Sequence, residues 1–170
     1  MTNLKPMYGA GAVAIALFLG ACASTTNDRF DSAGAGGAVG ALGSPSDPTS
    51  PAYFQQTVGD RVLFVVDQST LTPEARATLD GQAGWLNSNP EFSVVVEGHA
   101  DERGTTEYNI GLGARRATAV QEYLFTQGVA LNRIETVSYG KERPLEICSD
   151  ESCYNQNRRA VTVLTAGAGF

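Results

Sequence analysis

The segment Val94–Leu124, VVVEGHADERGTTEYNIGLGARRATAVQEYL, constrains the fold more than any other stretch of the chain. Val94-Val95-Val96 reads as a buried strand, Glu97 to Thr106 as a polar loop, and the remainder has helical periodicity. A strand must therefore pass through a charged loop straight into a long helix. That order leaves the loop at the surface beside a helix N-terminus, where free N–H groups and a positive dipole end favour an anion.

At 100° per residue, Gly113, Ala117, Val120 and Leu124 form one stripe of this helix, the face expected to be buried. Asn109 and Arg116 fall on the same side, near the loop, whereas Arg115, Thr118 and Glu122 point away. A guanidinium beside an apolar stripe needs compensation, because an unpaired buried charge is costly. Asp101, on the loop, is the expected partner. Fixed together at a cleft mouth, Asp101 and Arg116 suit a ligand that carries both an ammonium and a carboxylate. A structural pair that pins the loop fits the same spacing.

The flanking sequence supplies a frame. Arg61 to Asp67, with Val62-Leu63-Phe64-Val65-Val66, predicts a first buried strand. Thr72-Pro73-Glu74 then reads as an N-cap, a first-turn proline and a first-turn acid, opening a helix through Leu79 and Leu86 that Asn87-Ser88-Asn89-Pro90 ends. Phe92 to Gly98 is the second strand, and the second helix runs from about Thr106 to Gly128, a left-handed cap. Ile134 to Gly140 and Arg159 to Thr165 are the last two strands. The order β-α-β-α-β-β predicts an α/β fold: a two-layer sandwich, both helices on one face of a mixed four-stranded sheet.

Three regions divide the 170 residues. Residues 1–21 read as a secretory signal, with Lys5 ahead of an apolar core from Ala10 to Leu19 that is short for a membrane span. The core closes in Leu19-Gly20-Ala21-Cys22, which resembles the bacterial lipobox and marks Cys22 for lipidation. Ala23 rather than Asp follows, which points to the outer membrane. Residues 22–57 are rich in Ala, Gly, Ser, Thr and Pro and are expected to form a flexible tether. Its root-mean-square reach is about 30–35 Å, from about 5–6 Å times the square root of its length. Residues 58–170 form the globular head.

Lys and Arg number 12 against 18 Asp and Glu, a balance that excludes the basic face nucleic acid requires. Besides Cys22, the only cysteines are Cys148 and Cys153, which flank Ser-Asp-Glu-Ser. In an exported chain they are expected to form a disulfide. A metal site is the rival reading, but two cysteines and the single histidine, His99, fall short of four ligands. No metal and no cofactor is therefore expected.

Glu97-Gly98-His99-Ala100-Asp101-Glu102-Arg103-Gly104-Thr105, Glu107-Tyr108-Asn109, Leu112-Gly113, Arg115-Arg116-Ala117 and Ala119-Val120 resemble the OmpA-like peptidoglycan-binding domains, and most closely those of the peptidoglycan-associated lipoproteins. Val137-Ser138-Tyr139-Gly140-Lys141-Glu142 and Asn157-Arg158-Arg159-Ala160-Val161 extend the likeness over about residues 58–166. The resemblance implies non-covalent binding of diaminopimelate in the peptidoglycan stem peptide by Asp101 and Arg116. Asn109 stands at the motif position opening the helix, and Arg158 or Arg159 at the rim. It also implies docking to the periplasmic propeller protein TolB and a Tol-Pal role at the outer membrane and in cell division. Gly113 replaces the serine common in this motif, and the Cys148–Cys153 loop departs from the best-known sequences of the family.

An enzyme is the reading least supported. Glu97, His99, Asp101 and Glu102 supply carboxylates, but no Cys–His or Ser–His–Asp set accompanies them. On the strand, His99 is expected to hydrogen-bond the loop. A lipid-anchored adaptor that works mainly by docking to other proteins is the alternative to peptidoglycan binding.

Overall fold

The computed structural model describes residues 42–166; the signal, Cys22 and the tether up to residue 41 lie outside the described residues. Strands β1 (Arg61–Leu63), β2 (Phe92–His99), β3 (Ile134–Gly140) and β4 (Arg159–Ala166) form one sheet in the order β1-β4-β2-β3. β2 and β3 are parallel, and β4 is antiparallel to both β1 and β2. Helices α2 (Pro73–Ser88) and α3 (Thr106–Thr126) cover one face, closing a two-layer α/β sandwich. Its core joins Val62, Val94, Val96 and Leu164 of the sheet to Leu79, Leu86, Ala117, Val120 and Leu124 of the helices.

The helix ends follow the local chemistry. Thr72 and Thr105 cap α2 and α3 by accepting from Ala75 N–H and Tyr108 N–H. Gly128, at φ 93°, ends α3: its N–H bonds the Phe125 carbonyl at 3.0 Å, and Val129 N–H reaches back to Leu124 at 3.1 Å. The stripe Gly113, Ala117, Val120, Leu124 is buried, as are Asn109 and Arg116, while Arg115, Thr118 and Glu122 are exposed.

β1 is shorter than the apolar run that announces it. β4 offers no residue before Arg159, which pairs with Leu63, so the ladder runs out there. Phe64 adds one bond to the Arg158 carbonyl at 2.8 Å, and the chain then turns at Asp67, φ 56°. Val65 and Val66, expected inside, are left exposed at 47% and 43%. Their carbonyl side matters more than their side chains, as the cleft below shows.

The head also begins earlier than composition suggests. Helix α1 (Pro51–Tyr53) continues as a π-helical turn over Phe54–Gly59, and Ala52 and Phe54 are core residues. Phe54 packs on Trp85 with ring centroids 4.9 Å apart, and the Trp85 indole N–H donates to the Pro48 carbonyl at 2.8 Å. Small and polar residues dominate up to this point, so one aromatic anchor was outweighed by its neighbours. A second departure is helix α4 (Glu151–Asn157), capped by Asp150, in the connection read as merely polar. Cys148 and Cys153 are joined at its start, with Cα atoms 5.8 Å apart.

The approach of α3 to β2 requires glycine on both sides. A Cβ on Gly98 would sit on the Gly113 carbonyl, and one on Gly113 would lie 2.7 Å from the Gly98 carbonyl oxygen. Gly113 thus replaces the motif serine at the point of contact. Phe54→Ala is expected to destabilise the chain by about 3–5 kcal/mol, read from denaturant unfolding; a change below 1 kcal/mol would return Phe54 to the tether.

Candidate ligand cleft

Two guanidiniums and one carboxylate organise the end of the sheet where β2 meets α3. Arg116 has no exposed surface and lies over the Phe64 ring, 5.1 Å from its centroid. The sequence pairs it with Asp101; the structure instead gives it three backbone carbonyls. Its Nε donates to Gln68 at 2.9 Å, Nη1 to His99 at 2.7 Å and Nη2 to Val65 at 3.2 Å. Carbonyl dipoles compensate the charge without a counter-ion, because the β1–α2 loop and the end of β2 both turn their oxygens inward. Burial lowers the guanidinium pKa to about 10, with Arg158 pushing the same way and Asp101 opposing, so the group stays charged at neutral pH.

Asp101 faces Arg116 across the cleft but bonds elsewhere. Its Oδ2 accepts from Arg103 Nη2 at 2.6 Å and from Arg158 Nη1 at 3.2 Å; Oδ1 accepts from the Arg103 N–H at 3.2 Å. Burial alone would raise this carboxyl, yet the bonds from Arg103 and Arg158 together hold it below its ordinary value. Asn109, 1% exposed, donates to the Arg103 carbonyl at 2.8 Å and fixes the loop against the first turn of α3.

Asp101, Asn109 and Arg116 therefore line one cleft of about 350 Å³, completed by Asp67, Arg103, Tyr108 and Leu112. Three of the five N–H donors of Arg116 are engaged by carbonyls, and two are not. Arg158 does not line this cleft. It is 4% exposed, bonded to Asp101, to Glu151 at 2.5 Å and to the Phe64 carbonyl at 3.2 Å, and lines a neighbouring groove beyond Val65 and Val66. Arg159 is also buried and does not line this cleft; it donates to the carbonyls of Asn157 and Arg143. Asp67 escaped the sequence reading because it closes an apolar run; its left-handed backbone was the missing signal.

His99 is 2% exposed, and neither ring nitrogen has a hydrogen-bond partner. The side-chain bond to the loop expected from the sequence is not made; it is the His99 backbone carbonyl that is engaged, by Arg116 of α3. Burial, then the charges of Arg159 and Arg143, lower the imidazole pKa to about 4, so the ring is neutral under ordinary conditions.

The sequence pattern of the OmpA family matches residues 63–158, which contain the whole cleft. The chain belongs to the OmpA family. It is 51% identical to the peptidoglycan-associated lipoprotein of Rhizobium meliloti over 158 residues, 93% of this chain and 87% of that protein. With the protein of the same name from Haemophilus influenzae it shares 44% identity over 158 residues, 93% and 95% of the two chains. The crystal structure of the peptidoglycan-associated lipoprotein from Burkholderia pseudomallei aligns at TM-score 0.63 and 38% identity, covering 71% of this chain and 98% of that one. The C-terminal domain of Helicobacter pylori MotB shares the fold at TM-score 0.59 and 20% identity, covering 64% and 86%. The names of the first three relatives describe an associated lipoprotein and no enzyme.

The neutral His99 sets a pH dependence with a definite sign. Its folded pKa lies below the unfolded value near 6.5, so the unfolded chain binds the extra proton and stability falls as pH drops from 6.5 toward about 4. His99 is the only histidine, so this window is largely its own. Thermal melts at pH 7 and pH 5 are expected to differ for the native chain and to converge in His99→Phe; equal losses in both would assign the effect elsewhere.

Proposed function

We propose that this chain binds peptidoglycan non-covalently, gripping the free end of the diaminopimelate residue in a stem peptide. One observation carries the reading: a carboxylate, Asp101, and a buried guanidinium, Arg116, open into the same small cleft. The free end of diaminopimelate bears an ammonium and a carboxylate on one carbon. Asp101 meets the first and the two unengaged N–H donors of Arg116 meet the second, each a charge-assisted hydrogen bond worth about 1.5–3 kcal/mol. Two such bonds support a modest grip on one peptide. Many anchored copies facing a polymeric wall gain by multivalency.

The name shared by the relatives, peptidoglycan-associated lipoprotein, supports this reading and extends it. Cys22 carries the lipid anchor after removal of residues 1–21, and the head faces the periplasm from the outer membrane on the tether. Two or more acyl chains suffice for stable anchoring, at about 0.8 kcal/mol per buried methylene. Among the described residues no helix is long and apolar enough to cross a membrane. A TolB-like propeller protein is the second partner, in a Tol-Pal system serving envelope integrity and division. The assignment of that partner rests on the family likeness.

Because Arg116 holds three backbone carbonyls, its truncation tests folding as much as binding, and Asp101 is the cleaner probe. Asp101→Asn is expected to cut co-sedimentation with purified sacculi at least tenfold, and free diaminopimelate to displace the native chain. Undiminished sedimentation of a folded Asp101→Asn variant would refute the assignment. Arg116→Lys, which keeps the charge but loses the fork, is expected to weaken binding as well.

A further inference from the structure

We propose that Arg103 is a built-in competitor for Asp101, and that ligand entry swings its guanidinium from Asp101 onto Glu151 and the Tyr154 ring. The inference rests on the assignment of Asp101 to the ligand ammonium and concerns how that carboxylate is made free.

The four side chains form a closed ring of alternating charge. Asp101 Oδ2 takes both Arg103, at 2.6 Å, and Arg158, at 3.2 Å. Glu151 takes the same two cations, Arg158 at 2.5 Å and Arg103 at 3.7 Å. Of about four acceptor positions on the Asp101 carboxylate, three are already filled by Arg103 and Arg158. A ligand ammonium finds only one left, and departure of the Arg103 guanidinium opens a second. It would also be a third cation around a single carboxylate, which favours the departure of one of the two residents.

Exposure decides which one. The Arg158 side chain is 4% exposed and tied to four groups, so freeing it would strand a buried charge. The Arg103 side chain is 44% exposed at the cleft wall, and water takes up its charge at little cost. A landing place also stands ready. Arg103 Cζ already lies 4.6 Å from the centre of the Tyr154 ring, and Glu151, 61% exposed, lies 3.7 Å from the very nitrogen that bonds Asp101. Both residues belong to α4, which the Cys148–Cys153 bond fastens to the preceding loop. Glu102 accepts from the Tyr154 hydroxyl at 3.0 Å and steadies the ring. A small rotation of one exposed side chain thus exchanges an internal cation for the ligand's.

The occupied carboxylate has a consequence for selectivity. A ligand without an ammonium gains nothing from Asp101, because it cannot replace what Arg103 supplies. Arg103 therefore tempers the affinity for ammonium-bearing ligands and leaves merely acidic ones unaffected.

Isothermal titration of the full chain in detergent with the tripeptide L-Ala-γ-D-Glu-diaminopimelate tests the exchange. Arg103→Gln is expected to bind about five- to tenfold tighter, and Glu151→Gln several-fold weaker because the displaced cation loses its acceptor. In the Arg103→Gln background, Glu151→Gln should lose most of its effect, a non-additivity that a general structural role would not produce. The tripeptide lacking the distal amino group should gain nothing from Arg103→Gln. If the native chain binds the tripeptide but Arg103→Gln binds it equally or more weakly, the exchange is wrong while the cleft assignment stands. Equal costs of Glu151→Gln in both backgrounds would also overturn the exchange. A native chain that ignores the tripeptide overturns both.

Discussion

A single buried guanidinium ties the molecule together at its functional end. Arg116 rises from α3 and draws in the carbonyls of Val65, Gln68 and His99, so one side chain fixes a helix, the loop after β1 and the end of β2. The helix, the loop after β1 and the loop that continues β2 wall the cleft. The cost of desolvating the charge is met by oriented carbonyls rather than by a carboxylate. This leaves Asp101 free of Arg116, so the cleft holds two opposite charges that have not neutralised one another.

That separation is what gives the cleft its chemistry. A direct Asp101–Arg116 bond would consume both groups, and a zwitterion would find nothing to replace. Here each group has its own partners, and each retains some capacity. Arg116 keeps two N–H donors, and Asp101 has one partner, Arg103, exposed enough to move. Arg158 serves the site from behind: it anchors Asp101 to α4 and to the Phe64 carbonyl without entering the cleft.

The frame permits this because α3 lies unusually close to the sheet. Gly98 and Gly113 let the backbones touch, and Ser138 donates to the Ile110 carbonyl at 2.7 Å beside the contact. A larger residue at either glycine would lift α3 and carry Arg116 away from its carbonyls. β4, inserted between β1 and β2, places Arg158 just below the cleft and ends the pairing of β1 early. The short β1 then releases Val65 and Val66, whose segment separates the cleft from the adjoining groove.

Much of this was legible in the chain itself. The periodicity of α3 placed Asn109 and Arg116 inward, the cap at Thr72 marked a helix start, and the motif around Asp101 put a carboxylate on the adjoining loop. These follow from interactions a few residues apart, which sequence patterns record. The partners of each charge were not legible. Arg116 is satisfied by carbonyls up to 51 residues away and Asp101 by Arg158, 57 residues on. Backbone carbonyls are present at every position, so no residue type announces them. Nor could composition reveal that Phe54 is core or that β1 stops at Leu63, since both depend on what packs alongside. The chain alone turned Asp101, Asn109 and Arg116 toward the cleft. The folded arrangement decided which of them bond one another and which keep a donor or acceptor for a ligand, because that choice is made by distances across elements remote in sequence.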